Sequence, residues 1–320
     1  MDFLQRFWKK LFSGSTKSPV PPAWANFFTP EQYQAFIDCV ANHFTSQRRR
    51  FTLGDGVVYV EDGKPGGKHQ LGLLNLAQMC ARNEIKDWPE IVTDHFRTLE
   101  KSYSEQKVLE ERIDDFARVA ELLAVRLWPL EYLADLDRGK ILHRQELPGT
   151  ISALVFDLPS SIRNVTPEEI KSWGKSETEL FRIGLANVME NCIPDVSEQD
   201  LGEGITLTLF SDESFFVASH ALLLEEHPDC LGPFGTLVGI PHRHVMLAFP
   251  IQDLRVLQAI HMMIPIIAGM ERDGPGSISP LLYWYKDGDY TNLPYRIDKN
   301  TLNFSPPEDF VEMLNLLSEP

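Results

Sequence analysis

Helix-like and strand-like segments follow one another along this chain in an irregular order, and that order is the strongest constraint on its fold. Capped helix starts are predicted at Thr29-Pro-Glu-Gln32 and Thr166-Pro-Glu-Glu169, because Thr can cap a first turn that Pro begins. Short apolar strands lie between the helices without a regular strand–helix–strand repeat. The sequence therefore predicts an α+β fold with mixed, largely antiparallel sheets and flanking helices.

Individual elements follow from periodicity and turn residues. Helices are predicted from Thr29 to the Arg48–Arg50 run, at 69–82, from Trp88, at 104–121, 166 onward, 178–191, 253–263 and from Pro306. Strands are predicted at 51–60 with a Gly-Asp-Gly break, 122–128, 141–145, 151–156, 205–210, 215–219, 245–249, 281–285 and 290–296. Lys286-Asp-Gly-Asp289 is predicted to close a hairpin.

Residues 1–12 have the pattern of an amphipathic helix. Its apolar positions recur at helical spacing and its basic residues lie opposite them. As an interaction helix it would use Phe3, Phe7, Trp8 and Leu11. Two interpretations remain open: packing on its own domain, or docking on a partner or a membrane surface. A Pro/Ser-rich arm at 13–28 follows, then an N-terminal α/β part at 29–140 and a C-terminal α/β part at 141–320.

A short pattern occurs twice in the sequence. Gly72-Leu-Leu-Asn75-Leu with Cys80 and Gly184-Leu-Ala-Asn187-Val with Cys192 share the same spacing. Two similar α/β halves would explain the repeat, and chance similarity between two buried helices would explain it equally well. In both cases a buried Asn must find hydrogen-bond partners, so each Asn is expected to tie its helix to a neighbouring backbone.

Charge and cysteine use restrict the class of protein. Asp and Glu number 46 against 30 Lys and Arg, a formal net charge of −16. Such a surface repels nucleic-acid backbones and suits a basic partner. The four cysteines form no CxxC pair, which favours reduced thiols in the cytoplasm. No apolar run approaches the roughly 20 residues of a membrane span.

Several catalytic patterns fail on inspection. The loop at 63–69 departs from a phosphate-binding loop, since His69 stands where Ser or Thr would hold Mg²⁺. Asp157, Glu169 and Lys171 are the residue types of a metal-dependent nuclease site. Glu169 and Lys171 belong to a predicted helix start, however, and not to a strand. Gly276-Ser-Ile-Ser279 lacks the second Gly of a nucleophile elbow. Neither a catalytic residue nor a cofactor is predicted.

One short stretch is rich in potential metal ligands. His-x-His on a strand would place both imidazoles on one face, yet no spacing matches a standard zinc module, so no metal site is assigned. The candidate ligands in this stretch are His220, His227, Cys230, His242 and His244.

Arg126 and Arg243 each interrupt an otherwise apolar strand. An Arg that faces a core must be paired. The structural interpretation is an ion pair with a carboxylate such as Asp157. The functional interpretation is a clamp for an anion or carboxylate at a sheet edge.

Residues across roughly 50–300 resemble a known family. The similarity lies in Ala124–Pro129, Ile151–Pro159, Val165–Gly174, the helix that contains Gly184–Val188, Val238–Phe249 and Ile278–Tyr283. These segments resemble the uncharacterised bacterial YtpQ-like proteins. The resemblance implies a cytosolic bacterial protein of unknown activity, and it assigns no catalytic or binding residue.

The sequence therefore favours a non-catalytic cytosolic protein that binds another protein, of which an immunity protein against a basic toxin is one example. The partner is expected to be basic. A hydrolase with a His/Cys/Arg site around 220–244 is the first alternative. A peripheral membrane adaptor that binds weakly through residues 1–12 is the second.

Overall fold

A computed structural model describes residues 20–61, 68–134, 140–298 and 301–318. The predicted amphipathic helix at 1–12, with Phe3, Phe7, Trp8 and Leu11, lies outside these residues, as does most of the predicted arm. Contacts divide the chain into two compact units, 1–104 and 105–320. A boundary between residues 140 and 141, as predicted from the sequence, would divide a sheet whose strands pair across it (below).

The first unit combines helices with one small sheet. Its elements are α1 (Pro30–Ser46), β1 (Phe51–Leu53), β2 (Val57–Glu61), β3 (Lys68–Gly72), α2 (Leu74–Ala81) and the start of α3 (Trp88–Glu110). The three strands form an antiparallel sheet in chain order. Helices and sheet bury an aromatic core that includes Phe36, Phe44, Trp88 and Phe96.

The start of α1 confirms the predicted cap. The Thr29 hydroxyl accepts the Gln32 backbone N–H at 3.2 Å, and the Gln32 side chain accepts the Thr29 N–H at 2.9 Å. This capping box satisfies two backbone donors that the first helical turn leaves without partners.

The second unit is built from three antiparallel sheets. Its strands are β4 (Leu123–Pro129), β5 (His143–Arg144), β6 (Thr150–Leu158), β7 (Ser161–Asn164), β8 (Asp195–Asp200), β9 (Thr206–Ser211), β10 (Thr236–His242), β11 (Val245–Pro250), β12 (Leu282–Lys286), β13 (Asp289–Asn292), β14 (Tyr295–Asp298) and β15 (Thr301–Phe304). A four-stranded sheet joins β4, β6, β5 and β7, a six-stranded sheet has the order β13-β12-β10-β11-β9-β8, and β14 pairs with β15. The α+β class predicted from the sequence is confirmed.

The helices of this unit are α4 (Phe116–Val119), α5 (Glu177–Asn191), α6 (Val256–Asp273) and α7 (Glu308–Leu314). One core cluster contains side chains of both large sheets. A second packs α5 on the four-stranded sheet. A third packs α6 and α7 on the six-stranded sheet. Each large sheet of this unit is therefore packed between layers of apolar side chains.

Several element predictions are wrong. Residues 69–82 were predicted as one helix, but β3 pairs with β2 before α2 begins. Residues 215–219 were predicted as a strand, but a 3₁₀ helix runs over Val217–Glu226. Residues 104–121 are not one helix, because α3 ends at Glu110 and α4 covers Phe116–Val119. A short apolar run is compatible with a helix or a strand, and hydrogen bonding to a neighbouring strand selects between them.

The remaining differences concern segment ends. After Thr166 the capping contacts with Glu169 form, but only a 3₁₀ turn follows at Glu169–Ser172. The helix predicted at 253–263 runs through Pro265 to Asp273. The two copies of the repeated pattern also differ, since the first joins β3 to α2 and the second lies within α5 and its C-terminal cap. The two units share neither sheet size nor strand order, so duplicated halves are not observed among the described residues.

Candidate functional site

Arg126 is the first predicted site residue that the fold buries. It lies in the middle of β4 and pairs with Ala153 of β6. Strand alternation places it on the same face as Ala124 and Trp128, the face that meets the core shared by the two large sheets. Only 5% of Arg126 is exposed. The Arg126 guanidinium therefore lies beside apolar side chains, where the loss of its hydration is costly.

Aromatic rings surround the Arg126 guanidinium. Its Cζ lies 3.7 Å from the Trp128 ring centroid and 5.4 Å from that of Phe215. Trp128 in turn stacks on Tyr132, with centroids 4.0 Å apart and planes 3° from parallel. Ring faces attract a cation electrostatically, so the rings offset part of the desolvation cost.

No anion balances this charge within the described part of the chain. Arg126 makes no ion pair there, and its Nε is buried without a hydrogen-bond partner. The indole Nε1 of Trp128 is likewise buried and unpartnered. The predicted ion pair with Asp157 is therefore wrong for the described residues. Burial, and then the charge of Arg243, lower the pKa of Arg126 to about 10, so it stays protonated at neutral pH.

Arg243 approaches the same aromatic ring from the six-stranded sheet. It lies in the turn between β10 and β11. Its backbone N–H bonds the Gly276 oxygen at 3.1 Å, and its own oxygen accepts from Ala218 at 3.3 Å. Its guanidinium carbon lies 4.3 Å from the Phe215 centroid. Two guanidinium groups thus meet at one phenyl ring, and burial lowers the pKa of Arg243.

His244 orients the Arg243 side chain. Arg243 Nε donates to His244 Nε2 at 2.8 Å, and Nδ1 of the same ring lies 3.1 Å and 3.0 Å from the backbone oxygens of Asp212 and Ser214. Carbonyl oxygens only accept, so Nδ1 is the donor of this ring and Nε2 is the acceptor for Arg243. The described structure gives no hydrogen bond for the terminal amino groups of Arg243, which leaves them available to a ligand.

Gly276 packs closely against the Arg243 side chain. Gly276 has φ +70°, and a Cβ placed there would come within 2.8 Å of Arg243 Cδ. Both the left-handed backbone and the close approach require Gly. The loop before β12 therefore leaves the space that the Arg243 side chain occupies.

The predicted His/Cys set divides into two separate groups. His220 and His227 lie side by side, with Nδ1 of His220 3.0 Å from Nε2 of His227, and Nε2 of His220 lies 2.9 Å from the Cys192 backbone oxygen. Because that oxygen accepts, His220 is protonated on Nε2 and receives the His227 proton at Nδ1. Burial lowers the pKa of both imidazoles.

His242 and His244 form the other group, in and beside the β10–β11 turn rather than along one strand. Their ring centroids lie 6.1 Å apart, and His242 Nδ1 accepts the His244 backbone N–H. Cys230 is buried, and desolvation raises its thiol pKa. Among residues 20–61, 68–134, 140–298 and 301–318, no three His, Cys, Asp or Glu side chains are grouped to hold a metal ion.

An exposed edge strand was missed in the sequence analysis. β8 is the outermost strand of the six-stranded sheet, and all six of its residues are exposed. Its sequence, Asp-Val-Ser-Glu-Gln-Asp, is too polar for an apolar strand pattern. Polar residues at all positions but Val196 are themselves a feature of an edge strand without a buried face.

The aromatic partners of the two arginines were also missed. Trp128 follows Arg126 by two residues, which the strand period of two could have revealed. Phe215 lies far from both arginines in sequence, and no local pattern links them. In the described part of the chain, no helix is both long and apolar enough to cross a membrane.

Comparisons with protein-family models, curated proteins and solved structures returned no match. The resemblance to YtpQ-like proteins therefore stays a prediction.

Proposed function

We propose that this protein is a non-catalytic, cytosolic protein-binding protein that pairs a basic, extended segment of its partner with β8. The observation that supports this proposal is the combination of an open strand edge and a one-sided charge. On its outer side β8 has no partner strand among the described residues. An open edge presents a row of backbone donors and acceptors that another chain can complete.

The β8 strand and the stretch of sequence that contains it are rich in carboxylates and poor in basic residues. β8 contains Asp195, Glu198 and Asp200. Residues 183–242 contain ten Asp or Glu and no Lys or Arg. An antiparallel pair formed by two copies of β8 would oppose like charges, which destabilises strand pairing. The same carboxylates attract Lys and Arg and speed association with a basic partner.

Apolar surface accompanies the carboxylates. Val196 within β8 is 56% exposed and Ile193, just before the strand, is 79% exposed. Backbone pairing would supply affinity, and these side chains would add contacts with alternate side chains of the partner strand. A reducing compartment is consistent with this proposal, because the four cysteines are free, as they are in most cytosolic proteins.

The test is affinity capture from the native host with the full chain as bait. The variant Asp195→Lys/Glu198→Lys reverses two charges on β8. The matched control Glu111→Lys/Asp114→Lys reverses two exposed carboxylates after α3, with the same change in net charge. We expect a stoichiometric partner with wild type and control, none with the β8 variant, and release near 1 M salt, where the Debye length falls to about 3 Å.

The proposal fails if no stoichiometric partner is recovered, or if the β8 variant captures the same partner as wild type. Circular dichroism and a urea titration of each variant show whether its fold is intact. Since β8 side chains are exposed, both variants are expected to unfold within about 0.5 kcal/mol of wild type.

A further inference from the structure

We propose that Arg126 and Arg243, with the indole N–H of Trp128, form a binding site for a carboxylate attached to an apolar, planar group. This site is distinct from β8, and its occupant is a small acid or a chain terminus rather than a basic segment. Its success or failure is therefore independent of the proposed function.

The first argument is the uncompensated charge. A buried ion without a counter-ion is destabilising unless another interaction compensates for its lost hydration. Only 5% of Arg126 is exposed, and its Nε lacks a hydrogen-bond partner among the described residues. A second guanidinium at the same ring adds repulsion instead of relief. An anion that contacts both groups removes both penalties.

The second argument is the set of unfilled donors. Trp128 Nε1 is a buried donor without a partner, on the ring that stacks against Arg126. Buried N–H groups of this kind are rare in folded proteins. Donors on Arg126, Trp128 and Arg243 would together suit the two oxygens of a carboxylate, which can accept about four hydrogen bonds.

The third argument concerns what the acid is attached to. Three rings, those of Trp128, Tyr132 and Phe215, line this cluster, and Phe215 is 38% exposed. The exposed part of the Phe215 ring can bind a flat apolar group through aromatic or apolar contacts. The site is thus better suited to an aryl or apolar acid than to a fully hydrated phosphate.

His244 and Gly276 show that the arrangement is preorganised. The imidazole holds Arg243 Nε at 2.8 Å, and Gly276 leaves room for the Arg243 methylenes. A side chain that is held in place loses less entropy when it binds a ligand. Arg243 is therefore positioned before the ligand arrives.

The experiment is a titration of the full chain at constant ionic strength, followed by calorimetry and by the indole N–H signals in a ¹H–¹⁵N spectrum. The probes are benzoate, N-acetylphenylalanine, its neutral amide, acetate and inorganic phosphate. Benzoate represents a free acid and N-acetylphenylalanine represents a chain terminus. We expect saturable one-to-one binding of at least one of these two, tighter than acetate and phosphate, with a shift of the Trp128 indole signal, assigned by Trp128→Phe.

Three variants localise the binding. Arg126→Met and Arg243→Met should each weaken it by about tenfold or more, the loss expected for hydrogen bonds to a charged group. Arg144→Met is the matched control, since Arg144 also lies over a ring, that of Phe181 at 4.2 Å, and Phe181 belongs to the core cluster around α5 rather than to the one against which Trp128 packs. It should bind like wild type.

Arg126→Met also separates binding from folding. Replacing an unpaired buried cation with an apolar side chain is expected to keep or raise the midpoint of thermal unfolding in the absence of ligand. The proposal is overturned if none of the acids binds saturably, if the neutral amide or phosphate binds as tightly as the two apolar acids, or if Arg144→Met loses as much affinity as the other two variants.

Discussion

Replacing Asn187 with Ala tests how α5 is held against the start of β4. The Asn187 side-chain Nδ2 donates to the backbone oxygens of Ala120 and Leu123, each at 2.8 Å. Ala120 begins the 3₁₀ turn before β4, and Leu123 is the first residue of that strand. One amide therefore closes both ends of a turn, and its loss leaves two carbonyl oxygens without this donor.

The expected magnitude follows from those two bonds. A hydrogen bond contributes about 0.5–1.5 kcal/mol to folding, so the free energy of unfolding should fall by about 2 kcal/mol. For a folding unit of roughly 200 residues this corresponds to a decrease of about 4–8 °C in Tm. The measurement is urea unfolding of the full chain followed by circular dichroism, with Tm from calorimetry.

The repeated sequence pattern supplies the control. Asn75 occupies the position that corresponds to Asn187, but it is exposed. Asn75→Ala should change the free energy of unfolding by less than about 0.5 kcal/mol. Equal effects of the two substitutions, or a change below about 0.5 kcal/mol for Asn187→Ala, would refute the assignment of these hydrogen bonds to stability.

Three further predictions concern the backbone, a histidine and a thiol. Gly276→Ala should lower the free energy of unfolding by about 1–3 kcal/mol in urea, because its φ is +70° and the new Cβ meets Arg243, whereas Gly269→Ala, with open space around it, should not destabilise the protein. Burial lowers the pKa of His220 below 6.5, so the unfolded chain takes up the proton first as pH falls; stability should decline from pH 7 to 5, and His220→Asn should show a smaller slope. An equal slope would contradict this. Burial raises the pKa of Cys80 to about 12, so iodoacetamide at pH 8 should modify this residue only after unfolding, as peptide mass spectrometry would show; equal rates in native and unfolded protein would contradict it.

Local chemistry made part of the fold predictable. The capping box at Thr29 and Gln32 involves residues three apart, and it formed as expected. The predicted hairpin also formed, with positive φ at Asp287 and Gly288 between β12 and β13. Such features depend on side chains and backbone within one turn, so sequence alone is sufficient to recognise them.

Elements whose identity depends on distant partners were predicted less well. Residues 68–72 became a strand because β2 offers them backbone partners. Residues 217–226 became a 3₁₀ helix although their apolar start suggested a strand. A short apolar run satisfies its backbone groups equally well in either state, and tertiary packing selects one.

The α+β class, the acidic composition and an Arg in each of two apolar segments can all be recognised from the order of the residues. The packing of distant segments is needed to see that Arg126 lacks a carboxylate partner among the described residues and that it and Arg243 both contact Phe215. The physical reason is that strand period predicts which face a side chain occupies, whereas the opposing layer, from distant parts of the chain, determines what that face meets.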